Sequence, residues 1–183
     1  MGQKQEVFIS VDIETAGPIV SVHSMLTIGA CLAYHPEIEF SVTIQPISDE
    51  AVQAALDVTG LTLEQAEKEG LSPAEAMKQF AAWVKKNVPE GFTPVFVGLN
   101  APFDWSFVNY YFLQYHGENP FGFTALDIKA LFMGVTGCSW HDTKSSSIDK
   151  SVSPSLKGDH DALNDARYQA ELFRLVREKS QPV

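Results

Sequence analysis

The chain has 183 residues, of which 45% are hydrophobic and 20% are charged, an ordinary composition for a globular protein. A chain of this length is expected to fold as one domain over residues 1–183 and to bury about 70% of its unfolded surface. Its net charge of −10 argues against broad electrostatic adhesion to nucleic acid, but it does not exclude a nuclease, because bound metal ions would neutralise several acids locally.

The sequence predicts neither secretion nor insertion into a membrane. No apolar run approaches the ~20 residues of a membrane span, and residues 1–6 carry no signal-peptide core. Cys31 lies in an apolar run, Cys138 lies in a polar run, and neither has the spacing of a metal ligand. We therefore expect a cytoplasmic protein with reduced thiols and no membrane partner.

The first 45 residues predict a three-stranded antiparallel meander. Residues 7–14 place β-branched residues at alternate positions, as a strand does. Two further strand patterns cover residues 26–34 and 38–45, with a short turn at residues 35–37 between them. A connection this short joins neighbouring antiparallel strands.

The middle of the chain alternates helices with one buried strand. Residues 50–70 have a helical composition that is interrupted at Gly60, and a second helix is predicted over residues 73–88. Residues 94–99 form an unalternated apolar run, which is typical of a strand buried on both faces. An aromatic-rich helix is predicted over residues 105–115, with most of its aromatic side chains in the core.

The last third completes an α/β pattern. A strand is predicted over residues 121–126, followed by a short helix over 127–133 and a long helix over 161–179. Residues 134–158 are rich in Gly, Ser and Lys and are interpreted as an irregular loop. The order βββ-α-β-α-β-α-α predicts one mixed five-stranded sheet flanked by helices, with an antiparallel meander and parallel strands.

The strand over residues 7–14 ends in an unusual pair of acids. Asp12 and Glu14 project from the same face because they are two residues apart. At a separation of ~5 Å and an effective dielectric constant of ~20, two carboxylates repel each other by roughly 3 kcal/mol. A divalent cation is the usual means of offsetting such repulsion. The alternative is a strand end that emerges into solvent, with both acids at a surface edge.

Three more chemistry-bearing residues lie at the ends of predicted elements. Asp104 follows the buried strand, and His160 and Asp165 lie at the start of the last helix. Ligands of open α/β sheets bind in the crevice beyond the strand ends, where such residues would meet. Four carboxylates and one histidine favour a hard divalent ion over zinc, which calls for Cys or several His.

Structural roles remain open for these residues. Asp104 and Asp161 stand where helix N-caps are expected, and Asp165 would interact favourably with the same helix dipole. Asp127 stands at another strand-to-helix junction and is interpreted as a cap. His160 by itself would be an ordinary loop histidine. The other histidines lack acidic partners and are predicted at the surface: His23, His35, His116 and His141.

Taken together, these residues resemble the DEDDh (DnaQ-like) 3′–5′ exonucleases of the ribonuclease H-like superfamily. The motifs that carry the resemblance are Asp12-x-Glu14, Asp104 and His160-x4-Asp165, with smaller matches at Thr27-Ile28-Gly29-Ala30 and Thr59-Gly60-Leu61. The resemblance spans roughly residues 6–176 and implies a ribonuclease H-like sheet. Family members commonly have a helix before the histidine, and the predicted loop over residues 134–158 departs from that pattern.

The resemblance implies a role for each site residue. Asp12, Glu14 and Asp165 would hold one Mg²⁺ or Mn²⁺ ion, and Asp12 would bridge to a second ion supported by Asp104. Metals about 3.5–4 Å apart stabilise both the nucleophile and the leaving oxygen of a phosphodiester displacement. His160 would be the general base that takes a proton from the attacking water, and the products would be nucleoside 5′-monophosphates.

Substrate contacts are predicted at Thr15, from the resemblance, and at Phe103, which would stack on a base for ~1–3 kcal/mol. Trp140 and His141 are candidates for the same surface. The expected partner is single-stranded or short RNA or DNA with a 3′ end. The sequence leaves the oligomeric state open, and a homodimer is one alternative because related enzymes are often dimers. Two other hypotheses remain, a catalytically degenerate module that binds nucleic-acid ends and a hydrolase of dinucleotides or small phosphodiesters.

Overall fold

A mixed five-stranded sheet forms the centre of the molecule, for which a computed structural model describes residues 5–180. The strands are Glu6–Thr15 (β1), Met25–Leu32 (β2), His35–Thr43 (β3), Thr93–Gly98 (β4) and Ala125–Asp127 (β5). Their order is β3-β2-β1-β4-β5, with β1, β2 and β3 antiparallel and with β4 and β5 parallel to β1. This sheet confirms the predicted fold class. The single domain expected over residues 1–183 includes terminal residues outside the described range.

Helices flank the sheet on both faces. They are Gln53–Thr59 (α1), Leu63–Glu69 (α2), Pro73–Asn87 (α3), Ala101–Tyr111 (α4), Ile128–Thr136 (α5), Ser145–Val152 (α6) and Ala162–Lys179 (α7). A π-helical turn covers Phe112–His116, and a 3₁₀ turn covers Trp140–Thr143. Within residues 5–180, every helix is too short or too polar to cross a lipid bilayer.

Alternation along β1 separates two apolar layers. Ile9 belongs to the layer that packs with α3 and α4 and shares it with the buried Phe107. Phe8 faces the other way, and its ring centroid lies 4.9 Å from that of Phe173 on α7. Since alternate residues share a face, the side chain of Asp12 points toward α7 together with that of Phe8.

Two strand boundaries differ from the prediction. The turn between β2 and β3 occupies residues 33–34 rather than 35–37. The strand predicted over residues 121–126 is reduced to the three residues of β5. Gly122 lies in a turn with a φ of 78°, a left-handed conformation that interrupts an extended chain.

The prediction of an irregular loop over residues 134–158 is wrong, because this segment contains the 3₁₀ turn and α6. Ile148 of α6 is fully buried in the layer that contains α5 and α7. Asp149 accepts a hydrogen bond from the hydroxyl of Tyr168 on α7. A short, serine-rich helix has a low intrinsic stability, so these tertiary contacts hold it in place. The chain therefore has a helix where the resembled family commonly has one.

Candidate active site

Acidic side chains from three elements converge at one edge of the sheet. Asp12 and Glu14 lie near the end of β1. Asp104 and Asp165 lie in the first turns of α4 and α7, respectively. Because β1 and β4 are parallel, their C-terminal ends meet at this edge, where α4 begins. Ligand atoms of Glu14, His160 and Asp165 all lie within 4.8 Å of one another.

A close approach between β2 and α7 brings Asp165 to the two acids of β1. Gly29 on β2 pairs directly with Asp12 on β1. A Cβ atom at Gly29 would lie 2.2 Å from the carbonyl carbon and oxygen of Ala162, at the start of α7. Since no side chain tolerates such a contact, glycine is required for α7 to rest this close to the sheet.

The first turn of α7 uses its two acids differently. Asp161 is the N-cap, as predicted, and its carboxylate accepts hydrogen bonds from two N–H groups of the helix. The Asp165 carboxylate accepts hydrogen bonds from the N–H groups of Asp159 at 2.8 Å and His160 at 3.3 Å. His160 is exposed and adopts a left-handed φ of 63°. Asp165 therefore orients the backbone of the residue that carries the imidazole.

Asp104 is buried and does not cap a helix. α4 begins at Ala101 rather than at residue 105, and its N-cap position is Asn100, which has a φ of 66°. The carboxylate of Asp127 accepts hydrogen bonds from the N–H groups of Asn100 at 2.9 Å and Ala101 at 3.3 Å. It also caps α5, which confirms its predicted role as a cap. The carboxylate of Asp104 is not part of this cap. Burial raises its pKa, hydrogen bonds from the backbone of Asp104 and Ile13 oppose that rise, and its charge raises the pKa of Asp12.

Burial raises the pKa of every carboxylate in this cluster, and repulsion within the cluster raises the pKa values of Asp12 and Glu14 further. Burial is the largest cause and raises the pKa of Glu14 to about 8 and that of Asp104 to about 7. The pKa of Asp12 lies well above its ordinary value because of burial and then the charge of Asp104. Burial also raises the pKa of Asp165, although backbone N–H groups oppose it. A cation would relieve this repulsion, and hard divalent ions prefer such oxygen donors.

A groove of about 440 Å³ runs beside the acid cluster. Its lining includes Asp12, His160 and Asp165 from the cluster. Ser145 and Lys157, from α6 and the segment that follows it, line the same groove. Small-molecule sites occupy ~300–1,000 Å³, so the groove has room for a terminal nucleotide beside the acids.

Gln169 is a site residue that the sequence analysis did not identify. Its side chain is only 4% exposed and lies one helical turn beyond Asp165 on α7. Its amide oxygen accepts a hydrogen bond from the N–H of Leu99 at 2.8 Å, and its amide nitrogen donates one to the Asp12 carboxylate. The sequence feature that could have identified Gln169 is its spacing of four residues from Asp165, because residues four apart lie on one face of a helix.

The two predicted substrate contacts occupy different surroundings. Thr15 is buried, and its hydroxyl donates a hydrogen bond to the carbonyl of Gly17 at 3.0 Å. Phe103 is half-buried on α4, with its ring centroid 5.4 Å from that of Phe107. These contacts describe packing within the protein, so substrate binding by either residue stays a prediction.

The prediction of a surface position for His23 is wrong. Its side chain is buried, and Nδ1 accepts a hydrogen bond from the N–H of Ile19 at 3.0 Å. A Cβ atom at Gly17 would lie 2.6 Å from the imidazole ring. His23 therefore closes the loop that follows β1, a role that its lack of acidic partners did not indicate.

Comparisons with protein families and relatives identify proteins of known activity. The family model described as Exonuclease (RNase_T) matches residues 9–173. A relative from Escherichia coli, named as the 3′-5′ DNA exonuclease Cap18, is 55% identical over 181 residues. That alignment covers 99% of this chain and 97% of the relative.

Solved structures share the fold at low sequence identity. The nuclease domain of 3′hExo, described as a DEDDh family member bound to rAMP, has a TM-score of 0.78 and 15% identity. The similarity covers 97% of this chain and 95% of that domain. Escherichia coli exonuclease I in complex with a dT13 oligonucleotide has a TM-score of 0.73 and 17% identity, over 96% of this chain and 42% of exonuclease I.

Proposed function

The chain belongs to the RNase_T exonuclease family, and we propose that it is a metal-dependent 3′–5′ exonuclease of single-stranded DNA. The observation that carries this proposal is the convergence of Glu14, His160 and Asp165 within 4.8 Å, beside two further buried carboxylates. DNA is the proposed polymer because the relative with 55% identity is named as a DNA exonuclease. Single strands are proposed because a net charge of −10 disfavours broad contact with a duplex.

Two divalent ions are assigned to the acid cluster. Asp12, Glu14 and Asp165 would hold one Mg²⁺ or Mn²⁺ ion, and Asp12 with Asp104 would hold the other. Charge supports this division, because Asp104 is the carboxylate that most raises the pKa of Asp12, whereas Asp165 has that effect on Glu14. Bound ions would lower the pKa of the attacking water and neutralise charge on the phosphodiester.

His160 is the proposed general base. Its imidazole is exposed at the groove, and its backbone N–H is bound by Asp165. It accepts a proton from water as the water oxygen attacks the terminal phosphorus and the bond to the 3′ oxygen breaks. The 3′ oxygen takes a proton from solvent. The products are a nucleoside 5′-monophosphate and a strand that is one nucleotide shorter.

A 5′-labelled single-stranded DNA of 20 nucleotides tests this function. Wild-type protein is expected to give a ladder of shortened products with Mg²⁺ or Mn²⁺ and none with EDTA. Asp12→Asn or Asp165→Asn should lower the rate at least ~100-fold, since partners outside the ligand shell already cost about 10–100-fold. Glu90→Gln is the matched control, because Glu90 is an exposed carboxylate just before β4, at the opposite edge of the sheet.

Two outcomes would overturn the proposal in different ways. Metal-independent binding without cleavage of DNA or RNA would favour the catalytically degenerate binding module. A higher kcat/KM on dinucleotides than on 20-mers would favour a hydrolase of small phosphodiesters. A rate on RNA equal to that on DNA would remove the assignment of DNA as the preferred polymer.

A further inference from the structure

The segment between the start of α5 and the approach to α7 is basic in an acidic chain. Residues 128–158 contain four lysines and two aspartates, a net charge of +2, whereas the remaining residues carry −12. We refer to residues 128–158 as the α5–α6 wall. This contrast in formal charge makes the wall more favourable to a polyanion than the rest of the chain, although Asp149 of the wall also lines the groove. Its lysines are Lys129, Lys144, Lys150 and Lys157.

The α5–α6 wall borders the groove beside the acid cluster, where Ser145 and Lys157 are lining residues. The backbone just before Lys157 is anchored to α7. The N–H groups of Ser155 and Leu156 donate hydrogen bonds to the Glu171 carboxylate at 2.9 and 2.8 Å. Lys157 therefore lines the groove on a backbone that is held to α7, and its side chain is long enough to bring a positive charge to a strand in the groove.

Trp140 gives the wall an exposed aromatic surface. Its side chain is 53% exposed, so part of the indole is open to a ligand. The ammonium of Lys129 lies 4.6 Å from the ring centroid and holds the indole against the first turn of α5. That turn is capped by Asp127, whose carboxylate also binds the N–H of Asn100, next to the groove residue Leu99. Trp140 thus lies on the active-site edge of the sheet.

We propose that the α5–α6 wall binds the single strand upstream of its 3′ end, which rests on the exonuclease function proposed above. Lys157 neutralises a backbone phosphate close to the acid cluster, and Trp140 stacks on a base farther from the 3′ end. Base stacking on an aromatic side chain tolerates every sequence, as an exonuclease that moves along a strand requires. The acid cluster holds the terminal nucleotide, so contacts at the wall are expected to make kcat/KM higher on a 20-mer than on a dinucleotide.

The test compares Trp140→Ala and Lys157→Ala with Lys86→Ala, a control lysine on the distant helix α3. The ratio of kcat/KM on a 20-mer to that on a dinucleotide is expected to fall about tenfold in each wall variant; for Trp140→Ala this lies within the range of one stacked base. Lys86→Ala should keep the wild-type ratio. Lys157→Ala should also reduce the slope of log affinity against log salt concentration by about 0.7, the value for one phosphate of a single strand.

Fluorescence anisotropy of a labelled 20-mer with Mg²⁺, in the His160→Gln background, measures strand binding without cleavage. About tenfold weaker binding of the 20-mer by the Trp140→Ala and Lys157→Ala forms would support strand binding by the wall, even where no cleavage occurs. If both variants keep wild-type binding and the wild-type ratio of kcat/KM on the 20-mer to that on the dinucleotide, the wall does not bind the strand. The proposed exonuclease function would stand in that case. Absence of wild-type cleavage together with wall-dependent binding overturns only the exonuclease function.

Discussion

Gln169 links the end of β4 to the acid cluster through the two ends of one buried amide. Its bond to one oxygen of Asp12 restricts the orientation of that carboxylate. Gln169→Leu is expected to lower kcat about tenfold and to raise the metal concentration for half-maximal activity. The reason is that losing a hydrogen bond to a metal-binding side chain weakens metal affinity or activity. Steady-state kinetics and metal titration measure both effects.

The control for this prediction is Gln53→Leu, which removes an exposed amide that donates a hydrogen bond to Asp57 on α1. It should leave kcat and the metal requirement within about twofold of wild type, because an exposed hydrogen bond contributes little. A normal metal requirement in a folded Gln169→Leu protein, verified by thermal denaturation, would contradict the positioning role.

The raised pKa values of Glu14 and Asp104, about 8 and about 7, make the stability of the metal-free protein depend on pH. The folded state binds protons more tightly than the unfolded chain, whose ordinary values are 4.5 and 3.8. The free energy of unfolding in EDTA should therefore fall as pH rises from about 5 to 8. Urea denaturation at several pH values measures this trend, and Mg²⁺ should flatten it.

Glu14→Gln removes one of the carboxylates whose raised pKa makes stability depend on pH. It should therefore reduce the pH dependence of the free energy of unfolding in EDTA. Glu90→Gln serves as the control because Glu90 is an exposed acid outside the cluster. Equal slopes in wild type, Glu14→Gln and Glu90→Gln would show that the cluster does not govern the pH dependence.

At the scale of elements, the packing of α7 on β2 decides whether a site forms. Gly29→Ala would place a Cβ atom 2.2 Å from the backbone of Ala162, so α7 must shift away from the sheet. We expect a loss of about 1–3 kcal/mol in the free energy of unfolding and a fall in kcat of at least about tenfold. Thermal denaturation and the 20-mer assay measure these two effects.

Gly134→Ala is a matched control within α5, where a Cβ atom would meet nothing within 4 Å. Alanine in a helix interior is favoured over glycine by about 0.5–1 kcal/mol, so this variant should be as stable as wild type or more stable. Wild-type activity in Gly29→Ala would mean that Asp165 does not depend on the close approach of α7.

The elements differ in how much of them was predictable from local sequence. β1 was predictable because its alternation reflects two apolar layers, and the cap of α7 because Asp161 has a local partner in its own helix. Helix α6 was not predictable from local sequence, because its serine-rich sequence has low helix propensity and Ile148 is buried by contact with distant elements.

At the scale of the whole molecule, the negative charge makes DNA binding depend on metal. With a net charge of −10 and four clustered carboxylates, we expect negligible affinity for DNA in EDTA. Millimolar Mg²⁺ should raise the affinity for a single-stranded 20-mer at least about tenfold, and binding of a long duplex should remain weak. Anisotropy titrations with both DNAs measure this, and metal-independent affinity would contradict it.

The amino-acid sequence alone determined the residue types, their order and the elements that carry them. Asp12 and Glu14 share a strand face because β-strands alternate, and Asp165 opens a helix because Asp161 caps it. These are consequences of local geometry, which short stretches of sequence specify.

Only the tertiary structure decided the distances, the burial and the supporting contacts of the site. The approach of α7 to Gly29, the bridge from Gln169 to Asp12 and the α5–α6 wall all join residues far apart in the chain. Their energies come from packing and desolvation, which depend on which elements meet in space. Local sequence cannot encode them, because each side chain acquires its role from a partner on another element.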